Sequence, residues 1–345
     1  MPENGKPKFA MYWAASCGGC EIAVINIGAH ILDVDAVFDI AFWPVAADFK
    51  YNDVRGYSDG YIDLCLFNGA IRNSENEEIA LLLRKKSKIL VAFGSCSATG
   101  GIPALANLTS NDRILHTVFL SNPSLDNPEQ ILPQPSFHVE EGDLHLPTLY
   151  PSVRSLSDVV DVDYTIPGCP PESHQIWAVL EAVVSALQSG SPLPPKGAVI
   201  GAGQVAVCDE CTLEKNEKKI RKFYRPYEIK PQPGLCLLEQ GLVCMGPATR
   251  SGCGALCPKV EMGCRGCYGP LEGVEDQGLR MLSAISSVIA MGKPGEPESQ
   301  IHREVSEAVK TLADPAGTFY RFGMAKSTLK RSRGAGNSRP PKGEA

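Results

Sequence analysis

Residues 200 to 270 hold eight cysteines among many glycines, with little hydrophobic periodicity. Such a stretch cannot build a large apolar core, so its order needs another source, and bound metal clusters supply one. The whole chain has 13 cysteines in 345 residues, below the roughly 8–10% of a small disulfide scaffold. The opening MPENGKPKFAMYWAASCGGC has neither an apolar signal core nor a twin arginine, which sets the expectation of a cytoplasmic protein. Disulfides are disfavoured in that compartment, and metal ligation becomes the leading reason for so many thiols. No apolar run approaches the roughly 18–20 residues of a membrane span. A net charge of -6 argues against a dedicated nucleic-acid binder.

The half before this stretch reads differently. Apolar runs at Phe9–Ala15, Val37–Trp43, Tyr61–Phe67, Ile89–Phe93 and Val159–Ile166 suit strands. Helical spacing at Ile22–Leu32, Glu75–Lys86 and Glu172–Gln188 separates several of them. That alternation predicts an α/β domain with a parallel sheet covered on both faces. The expected organisation is a first domain over 1–190, a cluster-binding domain over 191–325 and a basic flexible tail over 326–345. Prolines punctuate 105–157, which reads as a surface excursion with room for a hairpin, either a partner contact or a bland insertion. Helices are expected over Gly278–Met291 and Glu304–Leu312.

Four cysteines of the first domain sit just after predicted strands: Cys17 and Cys20 in SCGGC, Cys96 in GSCSATGG and Cys169 in PGCPP. Loops at the carboxyl ends of parallel strands converge at one crevice, so these distant positions can meet. Four thiolates match the demand of an iron–sulfur cluster. The adjacent glycines let backbone amides approach cluster sulfurs, and the helices after Cys20 and Cys169 favour negative charge at their starts. Zinc or free thiols are the bland alternatives, and C-x-x-C alone does not discriminate. Cys65 lies inside a predicted strand and reads as a core residue.

The remaining eight cysteines make two further sets of four. Order and spacing pair Cys208 and Cys211 (CDEC) with Cys236 and Cys244, and Cys253 and Cys257 with Cys264 and Cys267 (CRGC). Zinc ribbons also use paired C-x-x-C motifs, but this group is crowded, irregular and next to a cluster-like domain. Ligand exchange between the two groups stays open, as in two-cluster ferredoxins.

Together, SCGGC, GSCSATGG, PGCPP and the eight-cysteine pattern resemble the small subunits of nickel–iron hydrogenases over about residues 8 to 270. The stretch LEQGLVCMGPATRSGCGALCPKVEMGCRGCYGP is most similar to the cytoplasmic, methyl-viologen-reducing type associated with heterodisulfide reductase. The resemblance implies a flavodoxin-like domain followed by a cluster-binding domain, three 4Fe-4S clusters, and a nickel–iron catalytic site on a separate large subunit. By that likeness Cys17, Cys20, Cys96 and Cys169 hold the proximal cluster. Cys253, Cys257, Cys264 and Cys267 hold the medial one, and Cys208, Cys211, Cys236 and Cys244 the distal one. Electrons from hydrogen oxidation then pass to a further iron–sulfur subunit, linked to heterodisulfide reductase. Two departures from the periplasmic relatives matter. Cys208 stands where many have histidine, and Cys257 where many have proline, and both changes favour four-iron clusters of low potential.

Three rivals remain. A subunit of the respiratory complex I type resembles the first domain but carries adjacent cysteines in its first motif and lacks the extension. A hydrogenase that reduces a deazaflavin coenzyme is not excluded by this chain. A zinc-stabilised interaction protein is the rival from another class. Glu21 reads either as part of a proton or water path or as a helix N-terminal acid. His174 reads as a cluster neighbour or a surface residue, and Trp13, Trp43 and Trp177 as core or large-subunit contacts. The basic run Lys215–Arg225 reads as a solvated face or an acidic partner's dock.

Overall fold

The structure, a computed structural model, describes residues 5–216, 219–289 and 297–329. Its strands are β1 (Lys8–Trp13), β2 (Asp39–Phe42), β3 (Ile62–Asn68), β4 (Ile71–Asn73), β5 (Ser87–Phe93), β6 (Ser136–Val139), β7 (Gly142–His145), β8 (Leu149–Arg154), β9 (Tyr164–Ile166) and β10 (Ala198–Val199). Six of them form one sheet in the order β10-β9-β5-β3-β1-β2, and every neighbouring pair is parallel. This is the flavodoxin-like order with one strand added at the β9 edge. The expected α/β class is observed.

Strand side chains alternate between two cores, as the two-residue period of a strand demands. Phe9, Met11, Leu64, Leu66, Val91 and Phe93 face the helices Gly19–Ile25 and Ser173–Ser189. Ala10, Tyr12, Cys65, Phe67, Leu90 and Ala92 face the helix Ser74–Lys86, which supplies Ile79, Ala80 and Leu83. Full burial of such a side chain contributes about 1.5–3 kcal/mol. Cys65 is wholly buried here, on a β3 face turned to helix packing.

Several expected elements differ. The helix over Ile22–Leu32 is two helices, Gly19–Ile25 and His30–Val37, because Gly28 takes φ +71 between them. The second helix reaches Val37, so β2 starts at Asp39. Only Tyr164–Ile166 of the expected fifth strand is extended in the sheet; residues 159–163 before it are turn and irregular chain. The helix Gln277–Val288 matches the expected one near its start, and the end expected at Met291 lies outside the described residues. The last long helix starts earlier than expected, at Glu298, and ends at Lys310.

The segment boundaries shift as well. β10 lies past residue 190 yet extends the sheet beside β9. A third core joins Ala70, Ala104 and Val153 of the first half to Val207, Phe223, Met281, Phe319 and Met324 of the second. The excursion is rooted in that core at Ala104 and Val153 and by the β4–β8 pair, and it contains the β6–β7 hairpin. At the start of the expected tail, Lys326 Nζ lies 2.8 Å from Asp158 Oδ1 and Thr328 donates to Asp276 through N and Oγ1, both at 2.7 Å. Ser327 is buried, and residues from 330 lie outside the described ones.

Candidate metal centres

Strand register puts the first four thiols at one edge. Trp13, Asn68, Phe93 and Ile166 stand side by side at the carboxyl end of β1, β3, β5 and β9. Cys17 follows β1, Cys96 follows β5 and Cys169 follows β9, while Cys20 opens the helix after the β1 turn. Burial pushes the Cys20 thiol up, and charge on Cys96, Cys169 and Cys17 adds to the shift. Burial pushes Cys96 up to about 12, with Cys169 and Cys17 contributing. Thiols that repel one another's charge stay protonated unless a cation stands among them, and bound iron would supply it.

The backbone around these sulfurs is cut back to fit a bulky group. Gly94 has φ +82, and a Cβ added there would stand 2.4 Å from Cys20 Sγ. A Cβ on Gly101 would stand 2.6 Å from Cys96 Sγ. The Ile102 amide donates to the Cys96 thiol, and the Ser95 amide and hydroxyl both donate to the Gly168 carbonyl, at 2.7 and 2.9 Å. The last two bonds tie the Cys96 loop to the Cys169 loop.

The other eight thiols also gather. Cys208, Cys211, Cys236 and Cys244 line one small cavity with Val207, Leu213, Leu237 and Pro258. Burial pushes Cys208 up to about 12, Cys244 adds to it, and Lys215 partly offsets the rise. A Cβ on Gly246 would lie 3.1 Å from Cys208 Sγ and 3.5 Å from Cys244 Sγ. Cys267 is likewise pushed up to about 12 by burial, then by Cys253, Cys169 and Cys257. Burial raises Cys264 too, with Cys244 next and Cys267 a smaller contributor. Among the described residues no three His, Cys, Asp or Glu side chains gather tightly enough to hold one metal ion.

The thiol groups expected from the sequence touch at two points. The Cys169 backbone stands against the Cys267 thiol and favours its charged form. The Cys264 amide donates to Cys244 Sγ at 3.2 Å. Ser95 Oγ also bonds the Cys267 carbonyl.

Several positioning residues escaped the sequence reading. Glu210 accepts from Gly252 N at 2.7 Å and Gly254 N at 3.1 Å, holding the loop that presents Cys253. Buried Gln175 accepts from Tyr268 Oη at 2.7 Å, next to Cys267. Gln277 Nε2 bonds Gly266 O at 3.0 Å between Cys264 and Cys267. Polar residues at those positions read as surface in a sequence; the PPESHQ start of a helix was the one hint for Gln175. Glu21 sits in the first helical turn, wholly buried, with Oε2 accepting from Trp43 Nε1 at 2.5 Å. Burial pushes its carboxyl up to about 7, against the lowering effect of Trp43 and Asn68. His174 is exposed, Trp13 is 43% exposed, and Trp177 stacks on His30 at 4.1 Å. In the basic run, Lys215 Nζ bonds the Cys208 carbonyl at 2.6 Å and Arg221 pairs with Glu304 at 3.1 Å.

A flavodoxin-like sheet with thiols at its carboxyl edge, extended by eight further thiols, defines the class of iron–sulfur small subunits of hydrogenases. Comparison with known proteins narrows the class to one family. The chain is 40% identical to the iron-sulfur subunit of the F420-non-reducing hydrogenase of Archaeoglobus profundus over 289 residues, covering 82% of this chain and 88% of the relative. It is 36% identical to the like-named subunit of the F420-non-reducing hydrogenase of Methanothermobacter marburgensis over 329 residues, 94% of this chain and 96% of that one. The chain belongs to this family of F420-non-reducing hydrogenase subunits and is a component of an oxidoreductase complex. Residues 17–183 also match the family described as NADH ubiquinone oxidoreductase, 20 Kd subunit, a match that ends before the eight-cysteine region. The NiFeSe hydrogenase of Dm. baculatum shares the fold, with TM-score 0.50 and 19% identity over 78% of this chain and 96% of that chain. No helix among the described residues is long and apolar enough to cross a membrane.

Proposed function

We propose that this chain is the electron-conducting small subunit of a nickel–iron hydrogenase, carrying three 4Fe-4S clusters from the large subunit toward a further redox subunit. Cys17, Cys20, Cys96 and Cys169 hold the proximal cluster; Cys253, Cys257, Cys264 and Cys267 the medial; Cys208, Cys211, Cys236 and Cys244 the distal. Clusters bound there supply one-electron redox chemistry. The observation that carries this reading is the proximity of the thiol groups, Cys169 beside Cys267 and Cys264 bonded to Cys244. The chain's own residues do the tuning. The amides of Ile102 and Cys264 donate to thiol sulfurs and the Cys169 backbone stands against another, which favours the charged form. Burial of Cys20, Cys96 and Cys264 excludes water from the sulfurs.

The relatives are named as not reducing F420, which favours a different acceptor over a deazaflavin coenzyme. A heterodisulfide-reductase-linked subunit is the acceptor this reading names, and the nickel–iron large subunit is the electron source. Iron near twelve per chain, with a brown colour bleached by dithionite, is the expected result. Colourless protein with stoichiometric zinc would overturn the reading. Cys257→Ser is expected to alter or convert one cluster and leave two spectra in place; three unchanged spectra would remove Cys257 from the ligands.

A further inference from the structure

Between Ala104 and Val153, which are both buried, not one residue of 105–152 is buried. The segment is nevertheless built. Its helix Asn111–Phe119 is capped by Ser110 and places Ile114, Leu115 and Val118 at helical spacing, yet buries none of them. Its hairpin β6–β7 pairs Ser136 with His145 and Phe137 with Leu144, without a third strand. Asn127 closes the turn between helix and hairpin by bonding Phe119 O and Ile131 O. Isolated two-strand hairpins and short helices are marginal in water, because ordering the backbone needs apolar burial to offset it. Here the apolar side chains are present and uncovered: Ile131 is 61% exposed, Phe137 57%, Leu144 58% and Leu146 55%.

Resting on the hydrogenase reading above, we propose that residues 109–148 form an arm that lies along the nickel–iron large subunit. Position selects that occupant. The arm springs from the first cysteine set: the Ile102 amide bonds the Cys96 thiol, and Ile102 itself is 51% exposed. Trp13, Ile22 and Ile25 are likewise exposed beside Cys17 and Cys20 in the chain, and Ile102 and Leu108 are exposed where the chain leaves Cys96 for the arm. An electron source must lie against the first set, whereas an acceptor belongs at Cys208–Cys244, the distal set of that reading. Charge argues against a second copy. From 105 to 152 the arm carries Asp112, Asp126, Glu129, Glu140, Glu141 and Asp143, and its one Lys or Arg is Arg113. Two such arms would repel, and the fitting surface is apolar with a basic surround.

The test compares amide hydrogen exchange of the full, iron-loaded chain alone and in complex with its large subunit. Amides of 109–148 are expected to exchange at least roughly tenfold more slowly in the complex. In parallel, the triple variant Ile131→Asp, Phe137→Asp, Leu144→Asp changes exposed side chains, so the chain keeps its fold and iron. Its affinity for the large subunit is expected to fall at least roughly thirtyfold. Unchanged exchange in the arm on adding the large subunit overturns the proposal. So does protection that arises only by self-association or only from the acceptor subunit, and so does undiminished affinity of a folded variant. If the triple variant does not fold, the exchange measurement on the native chain decides alone. Iron content is read on the same samples: loss of the cluster reading shows there, and failure of the arm shows only in exchange and affinity.

Discussion

Gly94→Ala tests the geometry of the first cysteine set most directly. A Cβ at that position would sit 2.4 Å from Cys20 Sγ and 3.5 Å from the Gly168 carbonyl oxygen, at a backbone φ of +82. Two costs follow. The left-handed backbone costs an alanine about 1–2 kcal/mol, whether or not metal is bound. The steric cost depends on the metal. In a metal-free chain the Cys20 thiol is the free end of a side chain and can swing away. Once the sulfur is held by iron it cannot, and overpacking of about 1–3 kcal/mol falls on the loaded state. That weakens retention of this one cluster by roughly 5–150-fold. Gly28→Ala is the control, because it carries a similar φ of +71 with open space around the added Cβ. The assay is iron per chain and the electron paramagnetic resonance spectrum of each reduced variant. Gly94→Ala should lose the signal of one cluster and keep the others, while Gly28→Ala keeps all of them and is only destabilised. Equal iron and identical spectra in the two variants would refute the placement of Cys20 Sγ against an iron centre.

Two further outcomes are expected from the structure. Cys65→Ala should cost about 1–2 kcal/mol in denaturant unfolding and leave iron content unchanged, since Cys65 is fully buried with its thiol pushed up to about 12 by burial; iron loss would make it a ligand. Lys326→Met should destabilise the Met324–Thr328 segment by about 1 kcal/mol at neutral pH. Burial raises the Asp158 carboxyl, but Lys326 and Ser155 outweigh it and leave the group below its ordinary value. The stability is therefore full above the ordinary aspartate range of about 3.9 and is lost as pH falls through the depressed value. Wild type and variant should converge in acid unfolding; a gap that persists there would remove Asp158 as the partner.

Much of the site was legible because cysteine chemistry travels with residue type. SCGGC, GSCSATGG and PGCPP each follow a strand that the apolar runs marked, and the parallel-sheet rule alone brings their loops together. The helix break at Gly28 was missed because the apolar spacing from Ile22 to Leu32 continues across it, and periodicity does not register a single left-handed residue. β10 was missed because two residues carry no pattern. The prolines marked the excursion as surface with room for a hairpin, and both are present. Prolines do not report that Ala104 and Val153 root it in a core assembled from both halves of the chain.

Residue types and their local spacing were enough for the α/β class and for the placing of Cys65 inside a core strand. Both follow from a short-range fact, strand periodicity. The individual contacts between these cysteines came from the packed chain. Cys169 stands against Cys267, and Cys264 bonds Cys244, across separations that no local pattern encodes. Packing also made Glu210, Gln175 and Gln277 the holders of cysteine-bearing loops, and it left the arm's apolar side chains exposed among the described residues. The physical reason is the same in each case. A thiol's chemistry belongs to one residue, whereas a contact or an uncovered face depends on strand register and on how distant segments pack.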